Sequence, residues 1–228
     1  MVAVSGAAPR TTAPKFAFLD LDNTLVDQSG ALREWAEHFV ADRGLDPAAV
    51  DFLAVKSSIA ATWTEYAADF KRHFQLADSV EQLVRDVTDT YPRYFVLDDA
   101  VAEGLRLLRA EGWRLGIVTN GATTMQSAKI DQVGLRDLVD GVYISEAEGC
   151  RKPERRIFEQ AAAKLGVQLG QRNGWMVGDT LDADVAGGLS AGLRTVWLQG
   201  DYELSAMDPQ PHHTCASIAD ALKLLADA

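Results

Sequence analysis

The chain has 228 residues, 47% of them hydrophobic, and a formal net charge of −11. That is enough for one large domain, or for a core carrying a smaller module. An acidic chain without a run of five basic residues lacks the positive footprint that a nucleic-acid polymer or an anionic membrane surface requires, so neither is expected as a partner. The two cysteines, Cys150 and Cys215, show no C-x-x-C spacing. This argues against a disulfide framework or a zinc site and fits a reducing cytoplasm. No apolar stretch approaches the roughly 20 residues of a membrane span.

Residues 1–14 are rich in Ala, Ser, Thr and Pro and lack the apolar centre of a secretory signal, so a disordered tail is expected. Phe16 to Leu19 is an uninterrupted apolar run, as suits a strand buried on both faces of a parallel sheet. It ends abruptly in Asp20, Asp22, Asn23 and Thr24. The carboxyl end of such a strand is where an open α/β sheet gathers its ligands. Two carboxylates so close together repel, and a hard cation such as Mg2+ would relieve the repulsion.

Helical periods follow for a long way. Leu32, Trp35, Ala36, Phe39 and Val40 share one helical face. Val50 with Leu53, then Trp63, Tyr66, Phe70 and Phe74, then Val80, Leu83, Val84 and Val87 predict three more helices, closed by Tyr91-Pro92. The all-helical stretch 28–96 is expected to be a cap inserted into a core made of 15–27 and 97–228, with hinges near Gln28 to Gly30 and Val96 to Asp98. Its aromatic residues are expected to pack between the cap helices. Arg33, His38, Arg43 and Lys56 are candidate substrate contacts there.

From residue 97 helices and strands alternate. A helix capped by Asp98 or Asp99 carries Val101, Leu105 and Leu108 and stops near Gly112. Arg114 to Val118 predicts a strand ending in Thr119, Asn120 and Gly121, followed by a helix from Thr123 to about Val133. Val142 to Ile144 predicts a third strand, and Lys152-Pro153 opens a helix reaching Leu165, with Pro153 in its first turn. Trp175 to Val177 is a fourth strand, ending in Gly178-Asp179. A helix from Asp182 to Ser190, a fifth strand at Thr195 to Leu198, a loop from Ala206 to Thr214 and a closing helix at Ser217 to Ala226 complete the chain. His212 and His213 sit in that loop and are given no metal role. Short connections and this alternation mean an α/β fold, a doubly wound parallel sheet of about five main strands.

Asp20, Asp22, Thr119, Asp179 and Asp184 all fall at or beyond strand carboxyl ends, and Lys152 stands before a helix. Four carboxylates, one hydroxyl and one ammonium converging on a crevice suit phosphoryl transfer.

The ordered set D-L-D-N-T-L, V-T-N-G, K-P and G-D-T-L-D-A-D resembles the haloacid dehalogenase (HAD) superfamily, from Phe16 to the C-terminus. An insertion straight after the first motif resembles its C1-capped subgroup. T-N-G-A-T-T-M-Q, I-S-E-A-E-G and K-P-E-R-R-I-F are similar to the nucleoside 5′-monophosphate phosphatase branch, and acylneuraminate 9-phosphatases share much of this run. The resemblance implies a Mg2+-dependent hydrolase of a small phosphorylated metabolite, a cytoplasmic monomer or homodimer. Asp20 would be the nucleophile and Asp22 the acid and then the base, oriented by Thr24. Thr119, Asn120 and Lys152 would hold the phosphoryl group. Asp20, the Asp22 carbonyl, Asp179 and, through water, Asp184 would hold the metal, with Asp182 the rival for the last place. Asn23 stands where Gly is commoner in the family. Arg151 is either a second cation at the site or a solvated surface residue, and Cys150 is given no role. A 2-haloacid dehalogenase and a phosphosugar mutase share the scaffold, and a non-catalytic module binding a phosphorylated ligand is the reading from another class.

Overall fold

The computed structural model describes residues 14–59, 62–170, 173–200 and 202–228, with main chain alone at 56–59. The expected tail at 1–14, apart from Pro14, and the side chain of Lys56 lie outside the described residues.

Strand β1 (Phe16–Leu19) lies in the middle of the sheet and is fully buried along its length. Its side chains alternate between two cores. Ala17 and Leu19 enter the larger one, while Phe16 and Phe18 enter a smaller one with Tyr143 and Phe158. A strand buried on both faces has no polar position to spare, which is why it reads as an unbroken apolar run. On one side β1 pairs in parallel with β2 (Arg114–Thr119), which pairs with β3 (Gly141–Ile144). On the other it pairs with β4 (Gly174–Gly178), then β5 (Arg194–Leu198) and β6 (His213–Cys215), giving the order β3-β2-β1-β4-β5-β6. Leu19 sits level with Ile117 and Val177, β2 and β4 run on to Thr119 and Gly178, and the Asp20 N–H extends the ladder to the Val177 carbonyl at 2.9 Å.

The sixth strand corrects the expectation of about five, since the stretch to Thr214 reads as a loop. At three residues on an exposed sheet edge, β6 is too short to show alternation, and main-chain pairing to β5 defines it. His212 Nδ1 accepts from the Thr195 N–H at 3.1 Å and the His213 ring tilts against Trp175, so both histidines serve this edge.

Between β1 and the helix at Asp99–Ala110 every regular element among the described residues is helical. These are α1 (Gln28–Asp42), α2 (Ala49–Ile59), α3 (Trp63–Phe74), α4 (Val80–Thr90) and a 3-10 turn at Tyr91–Tyr94. Side-chain caps start three of the helices: Asp27 for α1, Thr62 for α3 and Ser79, in a capping box with Gln82, for α4. Trp35, Phe39, Tyr66 and Phe70 pack on one another, with Trp35–Phe39 centroids 5.0 Å apart and Tyr66–Phe70 5.1 Å, so these aromatics fill the space between helices. Arg33 pairs with Asp51, Arg43 with Asp86, and the His38 ring lies against Tyr94. These contacts stay within the helical block.

Helices α5 (Asp99–Ala110), capped by Asp98, and α6 (Thr123–Gln132) follow. A short α7 (Ser145–Glu148) precedes α8 (Arg155–Leu165), which covers the face carrying Phe16 and Phe18. The first helical residue of α8 is Arg155, so Pro153 stands before the helix instead of in its first turn. After β4 a π-helical turn at Leu181–Ala186 runs into α9 (Gly187–Ser190), where the periodicity predicts one plain helix. α10 (Ile218–Ala226) packs beside α5 on the opposite face of the sheet from α8.

Candidate active site

The turn after β1 reverses tightly, with the Leu21 carbonyl accepting from the N–H groups of Leu25 and Val26. Asn23 takes a left-handed conformation, φ 52°, which Asn adopts more readily than most residues. Its side-chain oxygen also accepts from the Ser29 N–H at 3.0 Å. The position where Gly is commoner is thus one that demands positive φ, and Asn meets the demand.

Lys152 is the hub. Only 2% exposed, its Nζ lies 2.7 Å from Asp20 Oδ1 and 2.6 Å from Asp184 Oδ1. The Asn120 carboxamide fixes the lysine's main chain from both sides, accepting from its N–H at 2.9 Å and donating to its carbonyl at 3.0 Å. Asp184, fully buried, also accepts from the Thr180 N–H at 3.0 Å. The Asp179 carbonyl accepts from Trp197 Nε1 at 2.8 Å, which anchors the end of β4.

Carboxylate oxygens of Asp20, Asp179 and Asp184 lie within 4.8 Å of one another. Asp182 is exposed and outside this group, which separates it from Asp184. One ammonium cannot neutralise three carboxylates. Burial pushes Asp20 up to about 7, against the pull of Lys152 and with a further push from Asp184. Burial, then the charge of Asp20, raises Asp179 to about 6. Asp184 is raised by burial too, with Lys152 opposing. For Lys152 burial pulls downward, but Asp184 and Asp20 outweigh it and hold the ammonium above its ordinary value. The donor set is all oxygen, hard, and left with two negative charges when fully ionised. At Mg–O distances of about 2.1 Å, opposite ligands stand about 4.2 Å apart, so the trio fits a small divalent cation with little adjustment.

Asp22 stands apart from the trio. Its two oxygens meet α6 instead: Oδ1 lies 2.8 Å from Lys129 Nζ and Oδ2 accepts from Gln126 Nε2 at 2.9 Å. Thr24 was the expected orienting group, yet its buried hydroxyl has no hydrogen-bond partner among the described residues. Gln126 and Lys129 do that holding. The signal that could have found them is a Gln and a Lys on the same helix face as Met125 and Ile130, the buried stripe of α6. Thr119, 1% exposed, accepts from the same Gln126 nitrogen at 2.7 Å.

Gly178 ends β4 against this cluster. A Cβ there would lie 2.2 Å from Asp184 Oδ2, so the glycine makes room for the carboxylate. Gly178→Ala should cost about 1–3 kcal/mol of stability through overpacking and displace Asp184. Urea denaturation measures the first effect, and weakened Mg2+ binding by calorimetry measures the second.

A cavity of about 560 Å3 opens between the helical block and the core. Trp63, Tyr66 and Tyr91 line it on one side, and Asn120, Ser145 and Arg151 on the other. Arg151 is therefore both exposed and at the cavity wall. Cys150 packs into the smaller core with Phe18 and Phe158, and burial pushes its thiol up, as suits a residue without chemistry.

The haloacid dehalogenase-like hydrolase profile matches residues 14–192. The chain belongs to that family. Its curated relatives include the pyrimidine 5'-nucleotidase YjjG of Escherichia coli, 37% identical over 112 residues. That match spans about half of each protein, 49% of this chain and 49% of the relative. A glyceraldehyde 3-phosphate phosphatase of Pyrococcus abyssi is 31% identical over 205 residues, 81% of each chain. The N-acylneuraminate-9-phosphatase of Mus musculus is 31% identical over 236 residues, 91% of this chain and 92% of that one. Among solved structures, the HAD hydrolase YfnB of Bacillus subtilis superposes with a TM-score of 0.74 at 20% identity, covering 94% of this chain and 99% of that one. The shared fold is the HAD fold.

Proposed function

We propose that this HAD-like phosphatase hydrolyses a small phosphomonoester with Mg2+, through an aspartyl-phosphate on Asp20. One observation carries the reading. Two aspartates two residues apart each meet a buried lysine in different company, Asp20 on Lys152 with the carboxylates of Asp179 and Asp184, and Asp22 on Lys129 of α6 away from them. Paired carboxylates kept in different environments take different roles.

In this reading an Asp20 oxygen attacks phosphorus as the bond to the leaving oxygen breaks, and Asp22 gives that oxygen a proton. Asp22 then takes a proton from water, whose oxygen attacks phosphorus and frees Asp20. Thr119, the Asn120 main chain and Lys152 hold the phosphoryl oxygens. Asp20, the Asp22 carbonyl and Asp179 would hold Mg2+, with Asp184, tied to Lys152 and the Thr180 N–H, reaching it through water. When bound, the ion offsets negative charge on the carboxylates and the transferring group.

The helical block 28–96 serves as the cap over a core of 15–27 and 97–228, and the cavity between them takes the leaving group. Its volume and the half-buried Trp63 ring suit a nucleoside 5′-monophosphate first, in a cytoplasmic enzyme. No helix among the described residues is long and apolar enough to cross a membrane.

Phosphate release from nucleotide, sugar and glycolate monophosphates, with Mg2+ and with chelator, tests the reading. Metal-dependent release is the expected result, with chelator abolishing it. Halide release from 2-haloacids without metal would replace it with dehalogenation, and a need for a bisphosphate activator would replace it with a mutase.

A further inference from the structure

Helix α6 buries two polar side chains that its fold does not need. Its buried residues are Met125, Gln126, Lys129 and Ile130, with Gln126 and Lys129 each 2% exposed. Taking an ammonium out of water is costly unless a counter-charge meets it, and a methionine of similar length would pack the helix without that cost. Here the counter-charge is Asp22, at 2.8 Å. The other side of the ammonium faces aromatic rings, with Phe95 at 5.0 Å and Tyr91 at 5.6 Å. Both rings come from the end of the helical block, so Lys129 is caged between Asp22 and the segment that rejoins the core. Gln126 adds a second point of attachment. Its amide nitrogen donates to Asp22 Oδ2 at 2.9 Å and to Thr119 Oγ1 at 2.7 Å.

A carboxylate gripped at both oxygens has its plane and rotamer set. It is also held away from the Asp20, Asp179 and Asp184 oxygens, with which a free aspartate so near in sequence would compete for a cation. A carboxylate bound to a metal cannot carry a proton, whereas an ammonium, weaker than a divalent ion, opposes protonation of Asp22 without excluding it. A hydroxyl has one hydrogen, and since Thr119 accepts from Gln126, its own hydrogen is left for another acceptor.

We propose that Gln126 and Lys129 are positioning residues that reserve Asp22 for proton transfer and turn the Thr119 hydroxyl toward the phosphoryl group. The proposal rests on the phosphatase reading above.

The test is leaving-group dependence in Mg2+, because kcat/KM reports the step in which the leaving group departs. An alkyl phosphomonoester needs Asp22's proton at that step, whereas p-nitrophenolate departs without one. Lys129→Met should lower kcat/KM for the alkyl ester about 10²- to 10³-fold and for p-nitrophenyl phosphate less than about tenfold. Gln126→Leu should show the same selective loss on top of a smaller one common to both esters, because it also frees the Thr119 hydroxyl. Lys129→Arg should recover much of the alkyl activity. Gln126→Leu removes no charge, and it decides the matter if Lys129→Met does not fold. Equal losses on the two esters in variants that melt like the wild type, or no loss, would overturn the proposal while leaving the phosphatase reading in place. A wild type silent on both esters would overturn the two together.

Discussion

Asp20→Asn should lower turnover by about 10⁴-fold or more while leaving a folded protein that, in chelator at pH 8, melts no lower than the wild type. The first half follows because the amide cannot attack phosphorus. The second follows from charge. In the folded protein burial lifts Asp20 to about 7 and Asp179 to about 6, from an ordinary 3.8. A carboxyl raised in the folded state stabilises the fold when protonated. That contribution is complete below about pH 4 and is lost as pH rises through about 6 for Asp179 and about 7 for Asp20. Metal-free protein should therefore lose stability at this site between pH 4 and pH 8, and the asparagine, uncharged throughout, should lessen the loss. Mg2+ favours the ionised carboxylates, so its stabilising effect on the wild type should grow over the same range. Melting curves at pH 5 and pH 8, with Mg2+ and with chelator, check each part. A variant that melts well below the wild type in chelator would mean that the Asp20–Lys152 pair stabilises more than the crowded charges cost.

Lys152→Met should be the most damaging change to the fold as well as to turnover. It strips the counter-charge from Asp20, 8% exposed, and from Asp184, fully buried. Removing one partner of a buried ion pair costs about 3–5 kcal/mol. Here the orphaned carboxyls can take up protons, so the loss should be largest at pH 8 and should shrink at pH 5. Urea denaturation at both pH values measures it. An equal loss at both would show that shape, with no part for charge, sets the cost. Phosphate release should vanish at either pH, because the same ammonium is the group proposed to meet the transferring phosphoryl.

Much of this was legible in the residues. The strand ends could be placed because a doubly buried strand is an unbroken apolar run and its first polar residue marks the edge of the core. Asp20, Thr119 and Asp179 sit at such edges. Asp184 is one turn on and Lys152 just before α8, and the fold brings both to Asp20. What stayed hidden depends on contacts across the chain. No local pattern tells that Gln126 and Lys129 reach Asp22, more than a hundred positions earlier, or that the Asn120 side chain is spent on the main chain of Lys152. The edge strand β6 exists through its partner, and the π-helical turn after β4 departs from the period that its residues suggest.

The place of β1 has a consequence for how the chain acquires its form. Phe16 pairs with Arg114 on one side and with Gly174 on the other, so the first strand to be made waits longest for its neighbours. Loop closure over such separations is entropically costly, and chains dominated by distant pairings fold slowly. Until β4 is available, β1 keeps an open apolar edge of the kind that invites association between chains. Asp20 at its tip lacks Asp179 and Asp184 for the same interval. Assembly of the acidic cluster and closure of the sheet's centre are therefore a single late event in folding.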